Sequence, residues 1–359
     1  MLLVGLGGCG VAGCKAVPPS DPSHARAAQG PAGSPEQQPG ARVPCPLPPA
    51  CDAPPPETGP ARGFRHKRSS LVTVLGAPQH RGRDLLLTPG AAQWVLGKIA
   101  YGSTDKDLSD EGVYVYLLRG CGPSWEKIGT FRTTAEENSH PPVLGVEDQG
   151  GQIFVELSRV TRPLEVGRHR VRLVVAGDLS ATELFIEVLP PGARVAVTDI
   201  DGTLTESEMA VARELAGDHV PEAHPGAAQL MHTLAGRGYH LFYLTARPDW
   251  LVPRTRAWLT LRGFPPGILH TTTSSTGVIG GAAAAFKAGE LVALKDATGV
   301  IPDYAFGNMP SDVATYGGGG IAPSRAYYFK LDGDLRGGVG HSDYRSLLPT
   351  FDAIPPACL

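Results

Sequence analysis

Arg194-Val195-Ala196-Val197-Thr198 is a short apolar run that leads without a break into Asp199-Ile200-Asp201-Gly202-Thr203. Residues i and i+2 of a strand face the same side, so Asp199 and Asp201 leave the run together. A buried strand that ends in paired acids predicts two carboxylates at the carboxyl edge of a parallel sheet, where open α/β folds bind ligands. Gly202 lets the backbone turn sharply at that edge. The sequence that follows agrees. Ala227 to Gly238 carries Leu230, Met231 and Leu234 and closes on Gly236-Arg237-Gly238, a crossover helix with a glycine stop. Strand and helix patterns then alternate through 239–245, 253–261, 268–269, 282–294, 304–306, 310–316 and 326–329. This predicts a Rossmann-like α/β domain over 191–359. The segments between its elements are short, so no large cap is expected and the site should lie open.

Asp199-Ile200-Asp201-Gly202-Thr203 resembles the DxDGT signature of the haloacid dehalogenase (HAD) phosphatases, and the rest of that pattern follows in order. Tyr239 to Thr245 is a second strand ending in a hydroxyl residue. Phe286-Lys287 opens a helical stretch with a cation, for which Lys295 competes. Ala305-Phe306-Gly307-Asn308 ends a third strand on an oxygen ligand, with Asp312 one helical turn on. From Asp199 to about Leu335 the chain is similar to the lipin-type phosphatase domain, shared by lipins and membrane-associated phosphatidylinositol-transfer proteins. Leu244-Thr245-Ala246-Arg247-Pro248-Asp249 looks like the transfer-protein branch; Phe286-Lys287 and Gly307 through Val313 look more like lipins.

The resemblance implies a role for each residue. Asp199 is the nucleophile that forms an aspartyl-phosphate, and Asp201 is the acid and base. Thr245 holds a phosphoryl oxygen, and Lys287 offsets charge and holds Asp199. Gly202, Thr203 and Arg247 meet the phosphate or substrate. Mg²⁺ is held by Asp199, Asp201, Asn308 and Asp312. The implied activity is a phosphatase for a phospholipid phosphate such as phosphatidate. Two alternatives stand beside it: a non-catalytic phosphatidate-binding module, and a general phosphomonoesterase.

From 69 to 190 the periodicity changes. Val113 to Leu118, Gln152 to Leu157, Val171 to Val175 and Thr182 to Leu189 alternate or run rich in β-formers between turn residues, as do Leu71 to Leu75 and Trp94 to Ile99 more loosely. About six or seven short strands without helical periodicity predict an immunoglobulin-like β-sandwich. Asp105, Asp107, Asp110 and Glu111 lack the spacing of a Ca²⁺ loop and read as a solvated turn. Cys121 reads as a small buried hydrophobe. His219, His224, His232 and His240 have no zinc-ligand spacing.

The front of the chain is a different material. Residues 15–68 are rich in Pro and Gly with little to bury, and predict a disordered tether. Cys45 and Cys51 lie in it; an oxidising compartment would allow a disulfide between them, and sequence alone does not set the pairing. Arg62, Arg65, Lys67 and Arg68 form a basic cluster at its end, read as a solvated linker end or as an attraction to anionic head groups. Before it, residues 1–14 are apolar, and Val11-Ala12-Gly13-Cys14 resembles the lipobox of bacterial lipoproteins, whose Cys carries the lipid. Leu6-Gly7-Gly8-Cys9 is a second candidate. A protein anchored to the membrane through Cys14, or secreted into the cell envelope, is the expectation. No apolar run reaches the roughly 20 residues of a spanning helix. Lys+Arg total 32 against 35 Asp+Glu, net −3, so no cationic field draws the chain to nucleic acid.

Overall fold

The computed structural model of the protein describes residues 44–206 and 220–358. The lipobox at Cys14, the first part of the tether and His219 lie outside them. A β-sandwich domain is followed by an α/β domain of the HAD type.

Ten short strands build the sandwich: β1 (Arg81–Gly82), β2 (Leu85–Leu87), β3 (Trp94–Lys98), β4 (Ala100–Tyr101), β5 (Lys106–Asp107), β6 (Gly112–Leu118), β7 (Glu126–Arg132), β8 (Gln152–Glu156), β9 (Gly167–Val175) and β10 (Ala181–Val188). One sheet runs β2-β10-β9-β6-β7 and the other β1-β3-β8, with β4 and β5 as a separate pair. β6 shows why the segment folds this way. Val113, Val115 and Leu117 point into the core between the sheets, while Tyr114 and Tyr116 form a second cluster on the opposite face. Lys127 covers that face, its Nζ 4.1 Å from the Tyr114 ring.

The acidic loop differs from its reading as a solvated turn. Asp105 pairs with buried Arg81, Asp107 with buried Lys98, and Asp110 with Arg65 and His66. Glu111 is 1% exposed and accepts from the amides of Arg65 and His66 and from the Ser69 hydroxyl. Sequence spacing cannot show that cations from distant strands converge on this loop.

The second domain holds six parallel strands: β11 (Arg194–Thr198), β12 (Tyr239–Pro248), β13 (Ile268–Thr272), β14 (Tyr304–Gly307), β15 (Ala326–Phe329) and β16 (Val339–His341). Their order is β13-β12-β11-β14-β15-β16, so the chain reverses direction across the sheet at β11. That reversal leaves a crevice at the carboxyl end of β11, between β12 and β14. Besides a first helix, α1 (Lys67–Thr73), before the sandwich, the described helices are α2 (Ala227–Gly236), α3 (Val252–Leu261), α4 (Gly280–Thr298), α5 (Pro310–Gly318) and α6 (Leu348–Asp352). Leu71 to Leu75, expected as a loose strand, instead falls on the end of α1 and the turn after it, where Ser69 and Val72 anchor a helix against the sandwich. None of the helices is long and apolar enough to cross a membrane.

Buried ion pairs join the domains. Arg168 on β9 donates to Glu187 on β10 and to the carbonyl of Gly267, and His240 on β12 also meets Glu187. Asp84 is fully buried and accepts from Arg256 and from the amides of Phe185 and Leu269. Such pairs tie the domains in one geometry, because losing either partner strands a buried charge.

The part of the expected tether that falls among the described residues, 44–68, is ordered. Cys45 is bonded to Cys358 and Cys51 to Cys121, rather than to each other. The Cys45 amide donates to Gly236 O at 2.7 Å, and Trp125 Nε1 donates to Pro54 O at 2.7 Å. The proline-rich strap is thus fastened to both domains by bonds that composition does not reveal. Replacing Cys45 and Cys358 with serine is expected to lower stability by about 2–5 kcal/mol, since the bond closes a very long loop. A urea melt checks this: the midpoint should fall, and reductant should lower the wild-type midpoint too.

Candidate active site

β11 delivers Asp199 to the crevice, and Phe306 O on β14 accepts the Asp199 amide at 2.9 Å. The chain then turns at Gly202, whose φ of +69° suits glycine. The Gly202 amide, expected to cradle phosphate, donates instead to Thr205 Oγ1 at 2.9 Å. The amides of Asp201 and Thr203 make no hydrogen bond among the described residues. Tyr344, from beyond β16, donates its hydroxyl to Thr203 O at 2.7 Å and pins the turn from behind.

Lys287 lies on the buried stripe of α4 with Ala283, Leu291 and Leu294. A cation on an apolar stripe needs anions, and it has two: Nζ is 2.7 Å from Asp199 Oδ1 and 2.7 Å from Asp312 Oδ1. These carboxylates raise the Lys287 ammonium above its usual range against the opposing effect of burial. Lys295, its competitor in the sequence, is exposed on the same helix. Asp199 is pushed up to about 7, chiefly by burial; Lys287 lowers it, while Asp312 and Asp201 raise it further.

Asp312 was expected among the metal ligands, but its oxygens are engaged elsewhere. Oδ1 takes Lys287, and Oδ2 accepts the amides of Asn308 and Met309 at 3.0 Å each, closing the first turn of α5. A Cβ at Gly307 would meet the Asp312 side chain at 2.6–2.8 Å, so glycine is required for that approach.

Asp201 is held from the other side. Arg247 Nη2 lies 2.8 Å from Oδ1, Arg247 Nε 3.0 Å from Oδ2, and Thr245 Oγ1 donates to Oδ2 at 2.9 Å. Arg247 is buried and fixed by donating from Nη1 to Thr255 Oγ1 on α3 at 3.0 Å. Thr245 and Arg247, expected to meet phosphate, therefore hold the acid in the resting arrangement. The next residue but one, Asp249, pairs with Arg81 of the sandwich at 2.9 Å, which ties this loop to the first domain. Sequence reasoning missed Tyr344, Thr255 and Arg81, for their spacing from Asp199 carries no local signal.

The donor set suits Mg²⁺. Asp199 Oδ2 and Asn308 Oδ1 converge on the Thr203 hydroxyl, at 3.1 and 2.8 Å, where one proton cannot serve both oxygens. The Asp201 carbonyl accepts no hydrogen bond among the described residues. Two hard side-chain oxygens meet here, the kind of donor that Mg²⁺ takes together with water, while no group of three or more His, Cys, Asp or Glu side chains is gathered for a metal among the described residues. The Asp201 carboxylate and Asp312 contribute nothing to this pair as placed.

A HAD-like sheet with a buried Asp, a Lys and two oxygen-bearing loops at its carboxyl edge defines the class. Comparison with known proteins narrows it. Residues 196–330 match the family model described as PITM 1-3, LNS2 domain, and residues 78–188 match PITM 1-3, beta-sandwich domain. The chain is 26% identical over 270 residues to human membrane-associated phosphatidylinositol transfer protein 1, covering 75% of this chain and 20% of that protein. It is 29% identical over 204 residues to protein retinal degeneration B of Drosophila melanogaster, covering 56% of this chain and 15% of that protein. The chain thus spans about a fifth or less of the length of these relatives.

Proposed function

We propose that the protein is a Mg²⁺-dependent phosphatase that acts through an aspartyl-phosphate on a phospholipid phosphate such as phosphatidate. The observation that carries this reading is the double ion pair of Lys287 with Asp199 and Asp312. A site that merely holds an anion gains nothing from a buried carboxylate facing it; a nucleophile needs one, with a cation to orient it. Asp199 attacks phosphorus through Oδ1, the oxygen beside Lys287, which leaves Oδ2 for the metal, and Lys287 offsets charge on the transferring group. The amides of Asp201 and Thr203, which make no hydrogen bond among the described residues, donate to phosphoryl oxygens. Arg247 and Thr245 exchange Asp201 for the phosphate, which leaves Asp201 able to protonate the departing oxygen. Mg²⁺, held by Asp199, Asn308 and the Asp201 carbonyl, supplies charge neutralisation when bound.

The phospholipid follows from two supports. The absence of a large insertion between the described motifs suits a phosphate on a surface, and the relatives are named for membrane association and phosphatidylinositol transfer. A lipid anchor at Cys14, on an exported protein, belongs to the same reading; two disulfides in the described residues support an oxidising compartment. Detergent phase partition and intact mass should find Cys14 acylated, and an unmodified, wholly aqueous protein would sink the anchor.

One observation favours a second reading, a phosphatidate-binding module without turnover: Asp201 accepts from Arg247 and Thr245 on both oxygens. Phosphate release from phosphatidate vesicles and from soluble monoesters, run in parallel, separates the two. Release that requires Mg²⁺ is expected, faster from vesicles. Vesicle binding that ignores chelator, with no release under any divalent metal, would establish the binding module instead.

A further inference from the structure

The helix α1 is anchored by its inner side. Ser69 is buried against Glu111, Val72 packs on the sandwich core, and Glu111 also accepts the two amides that precede the helix. Its outer side is inverted relative to an ordinary surface helix. Leu71 is 69% exposed, Val74 77% and Leu75 55%. Leu71 lies on the last turn of the helix, Val74 caps it with helical φ/ψ, and Leu75 follows in the turn, so the three stand at its C-terminal end. Lys67 and Arg68, one turn before Leu71, are exposed and have no ion-pair partner among the described residues. The nearby Asp110 is taken by Arg65 and His66.

We propose that these side chains form a docking surface for an anionic lipid bilayer, separate from the phosphate site and independent of its activity. Apolar side chains flanked by cations fit the boundary between acyl chains and negative head groups. A stable protein partner buries roughly 800 Å² on each side, more than five side chains of a two-turn helix present. A bilayer needs no complementary shape. Glu111 and Ser69 hold the helix so that Leu71, Val74 and Leu75 enter the membrane together.

The test uses the full chain with Cys9→Ser and Cys14→Ser, so that no acyl chain contributes. It is sedimented with vesicles of phosphatidylcholine alone, or with about three parts in ten phosphatidylserine. No phosphomonoester is present, so the phosphate site is not engaged. The protein should bind the anionic vesicles, and less so as salt rises. Lys67→Ala with Arg68→Ala should weaken binding roughly thirtyfold, at about a factor of five per basic residue near a charged leaflet. Leu71→Ser, Val74→Ser and Leu75→Ser together should weaken it at least about tenfold. All five side chains are exposed, so the thermal midpoint should hold in both variants. Failure to bind, equal binding to neutral vesicles, or unchanged binding by either variant would overturn the proposal. So would a wild-type dimer in sedimentation velocity that the triple substitution converts to monomer.

Discussion

Asp199→Asn is expected to reduce phosphate release by at least about 10⁴-fold, because the amide cannot form the acyl-phosphate bond. The substitution keeps the shape of the side chain and an acceptor for Lys287, and Lys287 retains Asp312 at 2.7 Å. The fold should therefore survive. Stability gives an internal control with a definite sign. Asp199 has its folded pKa raised to about 7, from an ordinary carboxylate value near 3.8. A carboxyl raised on folding contributes stability below its unfolded pKa and loses it as pH climbs through the folded one. Wild-type stability should thus decline between about pH 4 and 7 through this group, and Asp199→Asn should lack that decline. Urea melts across this range read it directly. A variant that folds, lacks the decline and still releases phosphate at the wild-type rate would remove Asp199 as nucleophile.

The site was legible where chemistry is written locally, and illegible where it is written by tertiary contact. An apolar strand ending in two acids has few other readings, so Asp199 was visible before the sheet was. Lys287 was separable from Lys295 only by which face of α4 is buried, and the low-amphipathicity run of alanines and glycines around it hides that face. Asp312 illustrates a different limit. Its spacing from Asn308 suggests a ligand, yet the same spacing closes the first turn of α5, and the backbone takes the oxygen. The pairing of Arg247 with Asp201 joins β12 to the turn after β11, and no pattern within either segment announces it.

The strap and the acidic loop went unread for a related reason. Composition measures whether a segment can bury enough of its own surface to order itself. It does not measure what others offer. Residues 44–66 gain order from two cysteines whose partners are far away in sequence, and from carbonyls that accept Trp125 and Arg170. The loop from Asp105 to Glu111 gains its order from cations on β1 and β3 and from the amides before α1. Both regions sit beside the junction of the domains, where the fold of one part is decided by the other.

Lys287→Met should cost more stability than any other single change at the site, about 3–5 kcal/mol, because it leaves buried Asp199 and Asp312 without their cation. Against a typical total of about 5–15 kcal/mol this is a large share. The loss must depend on pH, and its sign follows from the same linkage. Without the ammonium, which in the wild type opposes the upward push of burial, Asp199 ionises still less readily in the folded protein than in the unfolded chain. Its neutral form favours folding, and the variant should be least impaired near pH 4 and increasingly impaired toward pH 8. Adding Asp199→Asn removes one of the stranded charges. The double variant should recover a substantial part of the loss, which a double-mutant cycle reads as coupling between positions 199 and 287. Additive losses, with no dependence on pH, would mean that Lys287 acts by packing its methylenes on Leu291 and not by neutralising charge. The coupled outcome has a functional consequence. A site that can keep two acids beside one ammonium at rest already holds the cation that an incoming phosphate dianion must meet, so the stability of the fold and the affinity of the site depend on the same nitrogen.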